Sequence, residues 1–180
     1  MKLITEESQL LVIDVQEKIF AVMQEQEQTK KNICRLIKGI RVLGIPINWT
    51  EQYPAGLGPT MSEVAAALNS TERMEKITFS CLGDNIVSEK IKSYEKRQIL
   101  VCGIETHVCV YQTVQDLLIE GYEVHVVTDA VMSRHESNHN LGLQKMGALG
   151  ANMTSVEMAL FELQQVASGD NFKAIASIIK

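Results

Sequence analysis

Cys109 and Asp14 are the residues whose types and positions most suggest chemistry. Cys109 follows a short apolar run, Gln98-Ile-Leu-Val-Cys-Gly103, at the point where the chain should pass into a helix. In that helix Val110, Val114, Leu117 and Leu118 recur at helical spacing, and Gly121 supplies the stop. A thiol in the first turn of a helix faces unpaired backbone N–H groups and the positive end of the helix dipole. Both favour thiolate, the nucleophilic form. The competing reading is an inert core thiol, since free cysteine is among the most buried residue types. Position alone does not separate the two. Asp14 closes another apolar run, Leu10-Leu-Val-Ile13. A carboxylate at a strand tip either caps the next turn or serves as a general base for a thiol.

Other chemically able residues are weaker. Lys76 stands beside Ile77 and Phe79 in an expected strand. Taken locally it reads as an outward lysine that blunts a sheet edge. His135-Glu-Ser-Asn-His139 matches H-E-x-x-H, and Gly142 extends the match to H-E-x-x-H-x-x-G. The third ligand position of that pattern holds Lys145, a cation that repels metal. Ser133-Arg-His-Glu136 reads more simply as a capping box at the start of a helix. His125 reads as a satisfied or half-exposed strand residue, and His107 as a neighbour of substrate rather than a partner of Cys109. Cys102 reads as a core thiol. Cys81, at the expected end of a strand, has neither a helix tip nor a named base. The glycines form no dinucleotide or phosphate loop, so no nucleotide cofactor is indicated.

The elements that must position these residues alternate along the chain. The expected strands are Leu10–Asp14, Ile45–Thr50, Glu75–Phe79, Ile99–Cys102, Tyr122–Thr128 and Ala151–Thr154. Between them come a short turn of helix over Glu17–Met23, a polar lead-in over Gln24–Gln28 and a long helix from about Thr29 to the stop at Gly44. That helix carries Ile33, Leu36, Ile37, Ile40 and Leu43 on one stripe. Further helices are expected over Val64–Leu68, from a cap at Asp84 to about Glu95, over Ser133–Met146, over Val156–Leu163, and from a cap at Asp170 to the end. Tyr53–Pro59 is a loop by its turn residues. Strict alternation implies right-handed crossovers and a parallel sheet covered on both faces. Ligands of such sheets bind beyond the carboxyl ends of the strands, where strand order reverses. If the first and fourth strands flank that reversal, Asp14 and Cys109 meet.

Composition narrows the function classes. The chain has 180 residues, 46% hydrophobic and 22% charged, as expected of one globular domain over residues 1–180. A net charge of −5 argues against non-specific nucleic-acid binding. No apolar stretch is long enough to span a bilayer, and the N-terminal residues show no apolar signal region. The expectation is a cytoplasmic chain. Cys34, Cys81, Cys102 and Cys109 show no metal spacing and are expected to be free thiols.

Five segments occur together and in order: Leu11-Val-Ile-Asp-Val-Gln16, Thr50-Glu-Gln-Tyr-Pro-Ala-Gly-Leu-Gly-Pro59, Glu75-Lys-Ile-Thr-Phe-Ser80, Val101-Cys-Gly-Ile-Glu-Thr-His-Val-Cys109 and Val127-Thr-Asp-Ala-Val-Met-Ser-Arg134. Over nearly the whole chain this resembles the isochorismatase-like cysteine hydrolase superfamily. The likeness is to the isochorismatase-domain-containing group with the Thr-Glu-Gln-Tyr-Pro loop. The resemblance implies a Rossmann-like three-layer α/β/α sandwich with a six-stranded parallel sheet, and homo-oligomers. Its Asp–Lys–Cys triad falls on Asp14, Lys76 and Cys109, which reverses the local reading of Lys76. It further implies a non-proline cis peptide at Ile104–Glu105, with the N–H groups of Glu105 and Cys109 forming an oxyanion hole. Metal-binding nicotinamidases of the superfamily carry Asp-x-His where this chain has Glu51-Gln-Tyr53, so no metal is expected. True isochorismatases lack the cysteine, so vinyl-ether hydrolysis is not expected either.

The resulting expectation is a metal-independent amidase-like hydrolase. It would act on a small amide or ester-like substrate through a thioester on Cys109. Glu51, Gln52, Phe79, Leu82 and His107 are the expected pocket residues. The alternative from another class is a catalytically weak family member acting as a binding or assembly module.

Overall fold

The computed structural model describes residues 2–23 and 26–180. Its strands are β1 (Ser8–Ile13), β2 (Ile47–Gln52), β3 (Arg73–Lys76), β4 (Gln98–Ile104), β5 (Glu123–Met132) and β6 (Asn152–Thr154). They form one sheet in the order β3-β2-β1-β4-β5-β6, and every neighbouring pair is parallel. Helices fill the connections: α1 (Glu17–Phe20), α2 (Gln26–Val42), α3 (Pro54–Leu57), α4 (Ser62–Leu68), α5 (Asn85–Ser93), α6 (Tyr111–Ile119), α7 (Glu136–Ala148), α8 (Val156–Gln164) and α9 (Gly169–Ile179). No helix among the described residues is long and apolar enough to cross a membrane.

The sheet separates two cores because successive side chains of a strand point to opposite faces. Leu10, Val12, Leu100 and Cys102 face one layer, where Ile33, Leu36, Ile37 and Ile40 of α2 meet α8 and α9. Leu11, Ile13, Ile99 and Val101 face the other, against Val87 and Ile91 of α5, Val114 and Leu117 of α6 and Met146 of α7. Each fully buried aliphatic side chain contributes roughly 1.5–3 kcal/mol. This is the three-layer α/β/α arrangement that the alternating elements and the resemblance led us to expect.

Strand order reverses between β1 and β4, so the chain leaves β1 toward α2 on one face and β4 toward α6 on the other, the arrangement that opens a crevice between the two strand ends. Gly103 makes that junction possible. It has φ +121°, and a Cβ there would lie 2.0 Å from the Ile13 carbonyl oxygen. The pairing of β4 with β5 also shifts register between Val101 and Gly103.

Several local expectations are corrected. The long helix begins at Gln26 rather than Thr29, while Gln24 and Glu25 of the expected lead-in lie outside the described residues. The third strand is Arg73–Lys76, not Glu75–Phe79. Gln52, the last residue of β2, pairs with Lys76, so Ile77 to Phe79 have no strand to join. Ile77 and Phe79 are consequently exposed. The fifth strand runs on to Met132, because Val131 and Met132 pair with Gly103 and Ile104. Asp84 caps α5 through the N–H groups of Ile86 and Val87, as expected. The capping box at α7 does not form: His135 is the N-cap, and the Ser133 hydroxyl is bound to His107 instead. Nor does Asp170 cap α9. It lies inside the first turn, after Ser168, and pairs with Lys173. His125 is fully buried with Nε2 unpartnered, because β5 is covered on both faces. Burial lowers its pKa.

Gly103→Ala should therefore destabilise the fold by about 2–4 kcal/mol, since the added carbon meets rigid backbone and the dihedral disfavours any side chain. Urea unfolding of the two proteins measures this, and equal midpoints contradict it.

Candidate active site

The site starts at the end of β1. Asp14 has φ +52°, a left-handed conformation that Asp tolerates better than most residues. Its N–H donates to the Thr50 carbonyl at 3.1 Å, and its own carbonyl accepts from the Gln16 N–H at 2.8 Å. The carboxylate is then received by the two strands beyond. Thr50 Oγ1 donates to Oδ1 at 2.8 Å, and Lys76 Nζ donates to Oδ2 at 2.6 Å. Both side chains of this ion pair are 0% exposed.

Lys76 reaches Asp14 because β3 buries alternate residues, Met74 and Lys76, on its inner side. An ammonium has three donors. Besides Asp14, Nζ meets Gln52 Oε1 at 2.8 Å and the carbonyls of Thr78 and Phe79 at 3.2 Å each. Gln52 is fixed in turn by Gln16, whose side chain accepts from the Gln52 N–H and donates to the Gln52 and Gly58 carbonyls. Gln52 Nε2 also donates to the Ile77 carbonyl at 2.6 Å.

Cys109 approaches from β4. The backbone passes through a cis peptide at Ile104–Glu105 and enters a wide turn over Thr106–Val110, where the Val110 N–H reaches the Glu105 carbonyl at 3.3 Å. Such π-type turns are frequent at functional sites. The helix α6 begins two residues after Cys109. The Cys109 thiol lies near enough to Asp14 for each group to shift the ionisation of the other. Cys109 is 5% exposed, against 2% for Lys76 and 0% for Asp14. Of these three residues Cys109 is the most exposed.

Electrostatics correct one expectation. Burial pushes the Cys109 thiol well above its ordinary range, and the Asp14 charge pushes the same way, with Lys76 opposing. The helix-tip argument for a resting thiolate therefore does not hold. Desolvation and a neighbouring anion both oppose the thiolate, and the helix starts two residues farther on. Asp14 is itself raised by burial, against the pull of Lys76, Thr50 and Cys109. Burial draws Lys76 down, but Asp14 together with Cys81 and Cys109 opposes it and the net direction is up. The resting cluster is a neutral thiol beside a carboxylate–ammonium pair.

The expected pocket residues fare differently. Glu51 faces the other side of β2 from Thr50 and Gln52, as the two-residue period of a strand requires. Its carboxylate accepts from Thr60 at 2.6 and 2.7 Å and pairs with Arg73, so it is not a crevice residue. The Gln52 amide is occupied by Lys76 and Ile77, which makes it a support of the lysine rather than a contact for substrate. Phe79 is 53% exposed, beyond the end of β3, and only its carbonyl joins the cluster. His107 is occupied at both ring nitrogens, by Ser133 at 2.9 Å and Asn138 at 3.4 Å. Cys102 is fully buried in the opposite core. Cys81 lies near the cluster, 3.9 Å from Thr50 Oγ1, with its thiol pushed up by burial to about 11. Thr50 and Gln16 escaped the sequence reading. Thr50 stands two residues before Gln52, and strand periodicity is the signal that could have found it.

The H-E-x-x-H pattern does not place both histidines on one helix face. His135 lies outside the helix, and His139 Nδ1 shares a hydrogen bond with Thr106 Oγ1 at 3.0 Å. Among the described residues no three His, Cys, Asp or Glu side chains converge to hold a metal ion.

Comparison with known proteins gives these features a family. A family model described as the isochorismatase domain matches residues 8–158. The secreted isochorismatase effector Isc1 of Phytophthora sojae is 37% identical, over 99% of this chain and 87% of its own. The structure of the MAR1 ribonuclease from Caenorhabditis elegans is 33% identical, with a TM-score of 0.93 over 99% of this chain and 92% of that one. The YcaC gene product of Escherichia coli, an octameric hydrolase of unknown specificity, shares the fold at 21% identity with a TM-score of 0.94, over 99% and 89% of the two chains. The chain belongs to the isochorismatase-like hydrolase family.

Because Lys76 and Asp14 are wholly buried, Lys76→Met should leave an unpaired carboxylate in the core and destabilise the protein by about 3–5 kcal/mol. Asp14→Asn in the same chain should recover part of that loss. A double variant no more stable than Lys76→Met in chemical denaturation contradicts the coupling.

Proposed function

We propose that this protein is a cysteine hydrolase that cleaves a small amide or ester-like substrate through a thioester on Cys109. The observation that carries the reading is the buried carboxylate of Asp14, held by Lys76 at 2.6 Å and close enough to the Cys109 thiol for the two to interact electrostatically. Asp14 takes the thiol proton as sulfur bonds to the substrate carbonyl carbon. The N–H groups of Glu105 and Cys109 receive the oxyanion. When the tetrahedral adduct collapses, the C–N or C–O bond breaks and Asp14 returns the proton to the leaving group. Water then attacks the thioester with Asp14 again as base, and collapse releases the acid and restores the thiol. Lys76 keeps Asp14 oriented and balances its charge throughout. None of these steps calls on a metal or cofactor.

A small substrate fits better than RNA, because a net charge of −5 works against a polyanion. Four free thiols suit a reducing compartment such as the cytoplasm. We further propose a homo-oligomer. The octameric fold neighbour and the exposed Tyr53, Ile77 and Phe79 beside the lysine support that assembly. Both cores rest on one sheet, which supports reading residues 1–180 as one domain.

The test is a panel of small amides and esters against wild type and Cys109→Ala. Turnover should fall by ~10³-fold or more in the variant, since the covalent route is removed. Hydrolysis that persists in pure Cys109→Ala protein, or a wild type inert to the whole panel, sinks the reading and favours a binding or assembly module.

The same mechanism sets a pH dependence. Asp14 must be ionised to accept the proton, and burial raises its pKa. Rate should therefore be lost as pH falls through a value above the ordinary carboxylate range of about 4. Asp14→Asn should be slow and lack this acid limb. An acid limb that survives the substitution assigns it to another group.

A further inference from the structure

We propose that Arg134 is a positioning residue that holds the Glu105 N–H in place for the oxyanion, with the start of α7 completing the clamp. The proposal rests on the hydrolase reading above and assigns part of that site's machinery to a segment outside the triad.

Three consecutive residues at the start of the turn that carries Cys109, Glu105 to His107, are each tied by their side chains to residues 133–139. Glu105 Oε2 accepts from the Arg134 N–H at 3.0 Å and from Arg134 Nε at 3.2 Å. Thr106 Oγ1 shares a hydrogen bond with His139 Nδ1 at 3.0 Å. His107 is held by Ser133 and Asn138. The helix behind them sits close. A Cβ at Gly142 would lie 3.2 Å from the carbonyl oxygen and Cγ2 of Thr106 and 3.3 Å from the His107 Cα. The pattern that imitates a zinc site thus has another physical use, since its second histidine and its glycine are both contact points of the clamp.

The charged tether bears on the chemistry most directly. Glu105 is 9% exposed, and its side chain and its N–H leave the same residue, so a fixed carboxylate limits rotation of the peptide. An oxyanion donor is effective only when pre-aimed, and a misplacement near 1 Å is enough to lose most of its value. Arg134, by contrast, has a side chain 53% exposed. Ion pairs that open to solvent add little to stability. Removing the guanidinium should therefore harm the reaction far more than the fold.

Two probes of Cys109 separate the roles. Iodoacetamide alkylates the sulfur with loss of iodide and forms no oxyanion. p-Nitrophenyl acetate acetylates it through a tetrahedral oxyanion and releases p-nitrophenolate. In the full chain, Arg134→Ala and Arg134→Gln should be acetylated about tenfold or more slowly than wild type. Alkylation should stay within about twofold and the melting temperature within a few degrees. Arg134→Lys, which keeps the charge but not the Nε–H, should fall between. Equal acetylation rates in variants and wild type overturn the proposal, and so does an equal slowing of both probes, the mark of a general structural defect. A wild type that is alkylated but never acetylated at Cys109 overturns the hydrolase reading itself, and with it any oxyanion for Arg134 to serve.

Discussion

The structure depends on one buried ion pair. Asp14 and Lys76 meet at 2.6 Å with no solvent contact for either side chain. Taking two such charges out of water costs several kcal/mol each, and their attraction offsets this only when the remaining hydrogen-bonding positions are also filled. Here they are. Thr50 takes the second carboxylate oxygen, and Gln52 with two backbone carbonyls takes the rest of the ammonium. Gln16 then fixes Gln52. A pair so fully satisfied is stiff, which fixes the Asp14 carboxylate in one orientation. Replacing it by apolar residues of similar volume is often neutral or favourable to stability, so its presence points to a task beyond holding the fold.

The sheet topology brings these groups together. β1 supplies the carboxylate, β2 the hydroxyl and amide, β3 the ammonium and β4 the thiol. Strand order places these four side by side with β1 and β4 at the reversal. The cluster combines contributions 62 residues apart for the ion pair alone. The same arrangement sets the electrostatics. The low-dielectric crevice that surrounds the ion pair also favours the neutral form of the cysteine.

Much of the fold was legible from pattern. Six apolar runs separated by helical stripes carry both the parallel sheet and its two cores, because burial on both faces leaves a strand no polar side. The stop at Gly44 and the cap at Asp84 follow from local backbone chemistry. The misses are equally physical. The end of β3 depends on where β2 stops, and the continuation of β5 past Asp129 depends on partners in β4. The failed capping box shows a tertiary bond winning over a local one, since Ser133 is taken by His107 before it can cap α7.

By itself the sequence determined the alternation of elements, the family likeness, and the candidates Asp14 and Cys109, each at the tip of a recognisable strand. These follow from side-chain periodicity and from residue types that only certain positions tolerate. Lys76 was placed with Asp14 and Cys109 by the family likeness against its local pattern, and only the tertiary structure decided that Glu51 turns away on the opposite face of β2, that Gln52 serves the lysine, and that Arg134 reaches Glu105. Those outcomes rest on which strand lies beside which and on which acceptor a long side chain finds first. Both are set by contacts between residues far apart in the chain.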